Sequence, residues 1–147
     1  MEYIENLHLQ TDLEALLSDL NLTVINSLRN LTHPDLQAKG LADDQIQILY
    51  AKIDHYYDAR FRSEVLCPML PEPCHQIECE YLELAPELLT KISDQGFEYF
   101  YELALQRRQH LSEEFSLREV SQIESALLSF LDAYRAGEII LQFEEEA

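Results

Sequence analysis

Apolar residues recur at three- and four-residue spacing along most of this chain, the period of an amphipathic helix and not the alternation of a strand. Leu13, Leu16, Leu17, Leu20, Val24, Leu28 and Leu31 fall on one such stripe. Thr11-Asp12-Leu13-Glu14 has the spacing of a capping box, in which a hydroxyl and a carboxylate satisfy orphan amides reciprocally. The pattern predicts a helix over 11–30. Thr32-His33-Pro34 then supplies a cap and a first-turn proline for a short helix that Gly40 ends. Ile46, Leu49, Tyr50, Ile53, Tyr56, Tyr57 and Phe61 form the wide apolar face of a longer helix running from Asp43 towards Glu64.

Pro86 opens a helix over 86–95, closed by Gly96. A further helix over 97–111 carries apolar residues on more than one side, which places it centrally. Ser116-Leu117-Arg118-Glu119 repeats the capping-box spacing, and Val120, Ile123, Leu127, Leu131 and Tyr134 follow at near-heptad intervals as far as Gly137. Ile139-Ile140-Leu141-Gln142-Phe143 has strand-like composition, so the pattern allows a minor β pairing with Leu7-His8-Leu9-Gln10; residues 138–147 read as an extended acidic tail. The fold class is all-α: five or six helices in an orthogonal or bundle-like single domain spanning 1–147.

One stretch breaks the helical rhythm. Residues 65–80 contain Pro68, Pro71 and Pro73, each of which lacks an amide donor and disfavours helix at the preceding residue. A connection this long is unusual in a compact domain. Its leucine, methionine, isoleucine and cysteine content predicts a loop packed onto the helices and not a disordered linker.

Composition narrows the function classes. The 147 residues are 47% apolar and 26% charged, enough apolar material for one core. Against 10 Lys and Arg stand 28 Asp and Glu, a formal net charge of −18. That field repels phosphate backbones and anionic lipid surfaces, so neither nucleic acid nor membrane is an expected partner. The acidic start Met1-Glu2-Tyr3-Ile4-Glu5 is unlike a basic secretory leader, and cytoplasmic localisation with reduced thiols is expected.

Cys67, Cys74, His75 and Cys79 are the candidate metal ligands, with zinc the metal such residue types favour. Their spacing argues against a structural zinc site, because such sites come as two short-spaced pairs. A catalytic cysteine is also disfavoured: between Arg62 and Lys91 there is no cation, whereas Glu64, Glu72, Glu78, Glu80, Glu83 and Glu87 should push the thiols up in pKa. Carboxylate-metal chemistry finds only scattered pairs: Glu5 with His8, Asp54 with Asp58, Glu98 with Glu102, and the Glu80, Glu83, Glu87 series. With three glycines, all placed as helix stops, no glycine-rich phosphate cradle exists in the sequence.

The acid excess is uneven. Residues 41–64 carry five acids against three bases, 65–96 six acids against Lys91, and 97–147 eleven acids against four arginines. Dense negative charge beside apolar residues suits docking of a basic protein. The sequence therefore points to a non-enzymatic, protein-binding module that neutralises or chaperones a basic partner, in the manner of an immunity protein or effector chaperone. Candidate contact residues are Glu72, Glu78, Glu80, Glu83, Glu87, Phe143 and the Arg107-Arg108 pair, read as lying near a helix C-terminus. Two alternatives remain open at this point: a nucleic-acid mimic that inhibits a DNA-binding protein, and a metal-dependent helical-bundle enzyme. A homodimer is a further partner arrangement the sequence allows.

Overall fold

The computed structural model describes residues 3–61 and 64–139. Within them lie eight α-helices: α1 (Thr11–Asp19), α2 (Ile25–Arg29), α3 (His33–Ala38), α4 (Asp43–Phe61), α5 (Pro86–Asp94), α6 (Phe100–Ala104), α7 (Arg108–Glu114) and α8 (Leu117–Arg135). Short 3₁₀ turns occupy Ile4–Leu7, Glu72–Cys74 and Cys79–Tyr81. There is no strand among the described residues, only isolated antiparallel bridges joining Tyr3 to Val24, Val65 to Arg107 and Glu78 to Tyr99. The all-α class holds.

Two expected helices are each divided, which is how six become eight. The 11–30 helix stops after Asp19 because Asn21 adopts a left-handed φ of 59°. Asn21 N–H then donates to Ser18 and Leu22 N–H to Leu17, a Schellman closure that asparagine, among non-glycine residues, tolerates well. Thr11 is already helical, and the residue before the helix is Gln10, with no side-chain cap, so the first capping box does not form. The 97–111 helix is interrupted by the loop beside it: the amide of Cys67 takes the Ala104 carbonyl at 3.0 Å, and the Arg108 amide donates to Glu64 at 2.7 Å. A neighbouring chain segment has claimed backbone groups that helix continuation would need.

The remaining signals act as expected. Ser116 and Glu119 form a reciprocal capping box, with Glu119 N–H on Ser116 Oγ at 3.1 Å and Ser116 N–H on Glu119 Oε1 at 2.9 Å. Thr32 and Asp35 do the same for α3, with Pro34 in its first turn. Gly137 adopts a φ of +78°, and a β-carbon there would sit 2.7 Å from Pro34 Cγ, so the stop after α8 also demands glycine for space.

The loop at 65–80 is part of the core. Leu66, Cys67, Met69 and Leu70 are at most 1% exposed, and Pro68 and Pro71 between and beside them are buried as well. With prolines removing donors, the loop closes on itself through turns such as Cys74 N–H to Pro71 and Ile77 N–H to Cys74, and three further bonds tie it to the α5–α6 segment: Cys79 N–H to Glu98, Phe100 N–H to Ile77 and Tyr101 N–H to His75. These bonds do the work of a sheet ladder without regular strands. α8 supplies the opposite wall through Val120, Ile123, Leu127, Leu131 and Tyr134, and the Phe100 ring meets Phe130 edge-on at 4.7 Å.

The turn after α2 clasps three elements. Tyr50 donates to the Leu31 carbonyl, Tyr134 to the Asn30 carbonyl, and Asn30 Oδ1 accepts the Glu72 amide. Alongside, Arg135 is 6% exposed and makes a two-pronged contact with Asp54, both bonds 2.9 Å, while stacking over Tyr50. Leu7-His8-Leu9-Gln10, expected as one side of a terminal β pairing, forms no bridge; instead Tyr3 bridges Val24, with Ile4 N–H donating to Thr23. Residues 140–143 lie outside the described residues.

Candidate functional site: an acidic groove

The pairing of Cys79 with Glu98 draws the 3₁₀ turn at Cys79–Tyr81 against the segment following Gly96. Because Glu78 and Tyr99 face each other in an antiparallel bridge, Glu78 and Glu80 come to stand beside Glu98. Between these carboxylates and the C-terminal half of α5 lies an open groove of about 570 Å³, with Leu89, Ile92 and Phe97 supplying apolar lining and Thr90 and Ser93 polar edges.

The acids repel one another. Glu78 is hydrogen-bonded to Glu80, and this contact, then the charges of Glu80 and Glu98, holds its carboxyl above the usual carboxylate range. The charge of Glu98 likewise raises the Tyr99 phenol. Glu102 fixes the backbone beneath: its Oε1 accepts the amides of Glu98 at 3.1 Å and Tyr99 at 3.0 Å. From Ser63 to Gln106 the sequence has nine acids and a single cation, Lys91. Its Nζ lies 2.8 Å from Glu119 Oε1 and over the Phe115 ring, and this ion pair helps keep Glu119 below its ordinary pKa. The cation nearest in sequence is thereby committed to α8.

Of the residues singled out from sequence, Glu78 and Glu80 meet in the groove. Glu72 does not: its carboxylate accepts from Asn26 Nδ2 at 2.9 Å and Arg29 Nη2 at 3.3 Å, tying the loop to α2. Glu83 borders a separate hollow against α8, and Glu87 is exposed in the first turn of α5, where negative charge suits the helix dipole. Arg107 and Arg108 stand at the N-terminus of α7, just beyond the C-cap of α6 at Leu105, because the 97–111 helix is divided there. Arg108 is ion-paired with Glu124 on α8. Phe143 lies outside the described residues. Glu98, read from sequence only as a carboxylate partner of Glu102, and Phe97 were not named as contact residues; their place depends on the bridge between residues 78 and 99, which no local pattern announces.

The cysteine group is interior. Cys67 and Cys74 have no exposure and Cys79 has 5%; Cys67 Sγ rests 3.6 Å from Met69 Sδ. Burial first, then Cys67, pushes the Cys74 thiol up to about 12; burial first, then Glu102 and Glu98, pushes Cys79 up to about 12. The direction is the expected one, but desolvation outweighs the acids. His75 Nε2 is 3.1 Å from the Leu70 carbonyl, so this nitrogen carries its proton and donates, and burial lowers the ring's pKa. Among the described residues no three His, Cys, Asp or Glu side chains gather as metal ligands. The native chain is expected to resist iodoacetamide near pH 7 and to react at all three cysteines once unfolded, as counted by mass spectrometry. Rapid alkylation of the folded chain would contradict the buried placement.

No helix among the described residues is long and apolar enough to cross a membrane. Comparison with protein-family models, curated proteins and solved structures finds no match for the chain.

Proposed function

We propose that the chain is a non-enzymatic binding module that captures a basic protein on the Glu78–Glu80–Glu98 groove, neutralising or chaperoning it. The observation that carries this reading is the conjunction of crowded carboxylates with a partly apolar lining, in a region whose one lysine is engaged elsewhere. A free cluster of like charges is an electrostatic cost to the unbound chain, and a partner's Lys or Arg relieves it. Complementary charge accelerates encounter by about 10–10³-fold, and apolar residues entering the groove supply affinity that charge alone does not.

The pH dependence follows from the sign of the shift. A carboxyl whose folded pKa is raised favours the protonated fold as pH falls through that pKa, and above it the groove bears its full charge. Partner binding is therefore expected to be strongest near neutral pH and to weaken on acidification, with Glu78 neutralised before an ordinary glutamate. Isolation of the chain from its own cells at low ionic strength tests the reading, with bound protein identified by mass spectrometry and the complex re-formed from purified components. The expected partner is basic, and its association slows as salt rises. A partner that is not basic, or a complex indifferent to salt, would overturn the proposal.

A further inference from the structure

Tyr99 and Tyr101 flank Phe100, which is turned into the core with no exposure, and both stay at the surface: Tyr101 is 37% exposed and Tyr99 half-buried. Their rings lie nearly parallel, 12° apart in plane with centroids 6.3 Å apart, and the His75 ring stands 6.3 Å from Tyr101. The antiparallel bridge puts the Glu78 and Tyr99 side chains on one side of the pairing. The Tyr99 phenol donates to Glu98. A planar aromatic surface therefore adjoins two of the three groove carboxylates. Lys91 is held by Glu119, and Arg29, whose charge reaches His75, is held by Glu72. Each of these cations is committed to its own carboxylate.

The group that matches such a surface is a cation that is also flat. A guanidinium is weakly hydrated, stacks on a tyrosine ring and offers paired N–H donors to a carboxylate. An ammonium carries the same charge without the flat face or the fork, and it is more strongly hydrated. The carboxylates attract both; the rings distinguish them, by about two- to fivefold in affinity for an exposed cation–π contact. The chain already holds an arginine in this way: Arg135 lies over the Tyr50 ring, 4.5 Å from its centroid, with two guanidinium nitrogens on Asp54. Tyr99 with Glu78 and Glu98 presents the same pair of acceptors, an aromatic face and carboxylates, at the surface.

We propose that the basic partner is anchored through arginine in preference to lysine, its guanidinium stacking on the Tyr99–Tyr101 face while its N–H groups bind Glu78 and Glu98. This rests on the basic-partner reading above and adds to it the residue type the partner must carry.

Capped hexa-arginine and hexalysine peptides, equal in charge, provide the test. Each is titrated into the full ¹⁵N-labelled chain at one fixed ionic strength, and Kd is read from the amide shifts of Glu78, Glu98, Tyr99 and Tyr101. Hexa-arginine is expected to bind at least about threefold more tightly. Tyr99→Phe with Tyr101→Phe should keep the preference, because the rings remain. Tyr99→Ser with Tyr101→Ser should bring hexa-arginine down to the affinity of hexalysine, because no charge has changed. Should that double variant fail to fold, Tyr101→Ser alone, at the more exposed position, should already halve the preference. Equal affinities of the two peptides at these signals would overturn arginine anchoring and leave the basic-partner reading intact. A preference that survives the serine substitutions would overturn it too, since the guanidinium would then be recognised elsewhere. No shift at these residues with either peptide would remove both readings.

Discussion

Truncating Leu70 to alanine is expected to cost about 3 kcal/mol of folding stability, within the 2–5 kcal/mol typical of fully buried leucines. Leu70 lies in a stretch without regular secondary structure, yet it has no exposure, and its carbonyl accepts the His75 ring N–H. It belongs to a run of six consecutive buried residues, 66–71. The change leaves a cavity that neighbours fill poorly, because the prolines on either side restrict how far the backbone can collapse. Urea unfolding should show a lower midpoint with an unchanged slope. If 65–80 were a surface connection, the same substitution would fall within about 0.5 kcal/mol of wild type. Leu127 of α8, also without exposure, gives the matched comparison: the two truncations should be alike in size.

Reversing the groove charges with Glu78→Lys, Glu80→Lys and Glu98→Lys together is expected to slow association with the basic partner by at least about tenfold. It should also flatten the dependence of that rate on salt. All three side chains are exposed or at the groove's edge, and reversal does not disturb the backbone pairing of Cys79 with Glu98. Folding stability should therefore hold, or rise slightly at neutral pH through new pairings with the surrounding acids. A control with the same change in net charge, Glu113→Lys, Glu114→Lys and Glu138→Lys, separates a local surface from the overall field. These residues are exposed and belong to other parts of the chain. The control variant should lose less of the rate, in proportion to the long-range field alone.

Periodicity was enough to place α4, α5 and α8, because their apolar stripes, caps and stops agree with one another. It was not enough where the chain's own neighbours overrode a local preference. Nothing between 97 and 111 breaks a helix by composition; Ala104 ends α6 because the Cys67 amide lies alongside its carbonyl. At 20–24 the signal was present in Asn21, a residue that tolerates the left-handed turn, but a continuous leucine stripe concealed it. The packed character of 65–80 was readable from its apolar content, and the raised thiols from the absence of cations, though burial proved the larger cause. Glu78 and Glu80 could be named as contact residues, whereas Glu98 could not, since its approach is set by a pairing twenty residues away. Glu72 carried the same sequence credentials and went to a different task, holding Asn26 and Arg29.

The central claim is that the groove between Glu78, Glu80 and Glu98 receives a basic protein, and an amide chemical-shift map of the ¹⁵N-labelled chain titrated with its partner addresses it most directly. The perturbed signals should centre on Glu78, Glu80, Thr90, Ser93, Gly96 and Glu98 and should fade as salt is added. Perturbations confined to α1–α4 with the groove signals unmoved, or a map that does not change with salt, would contradict the account.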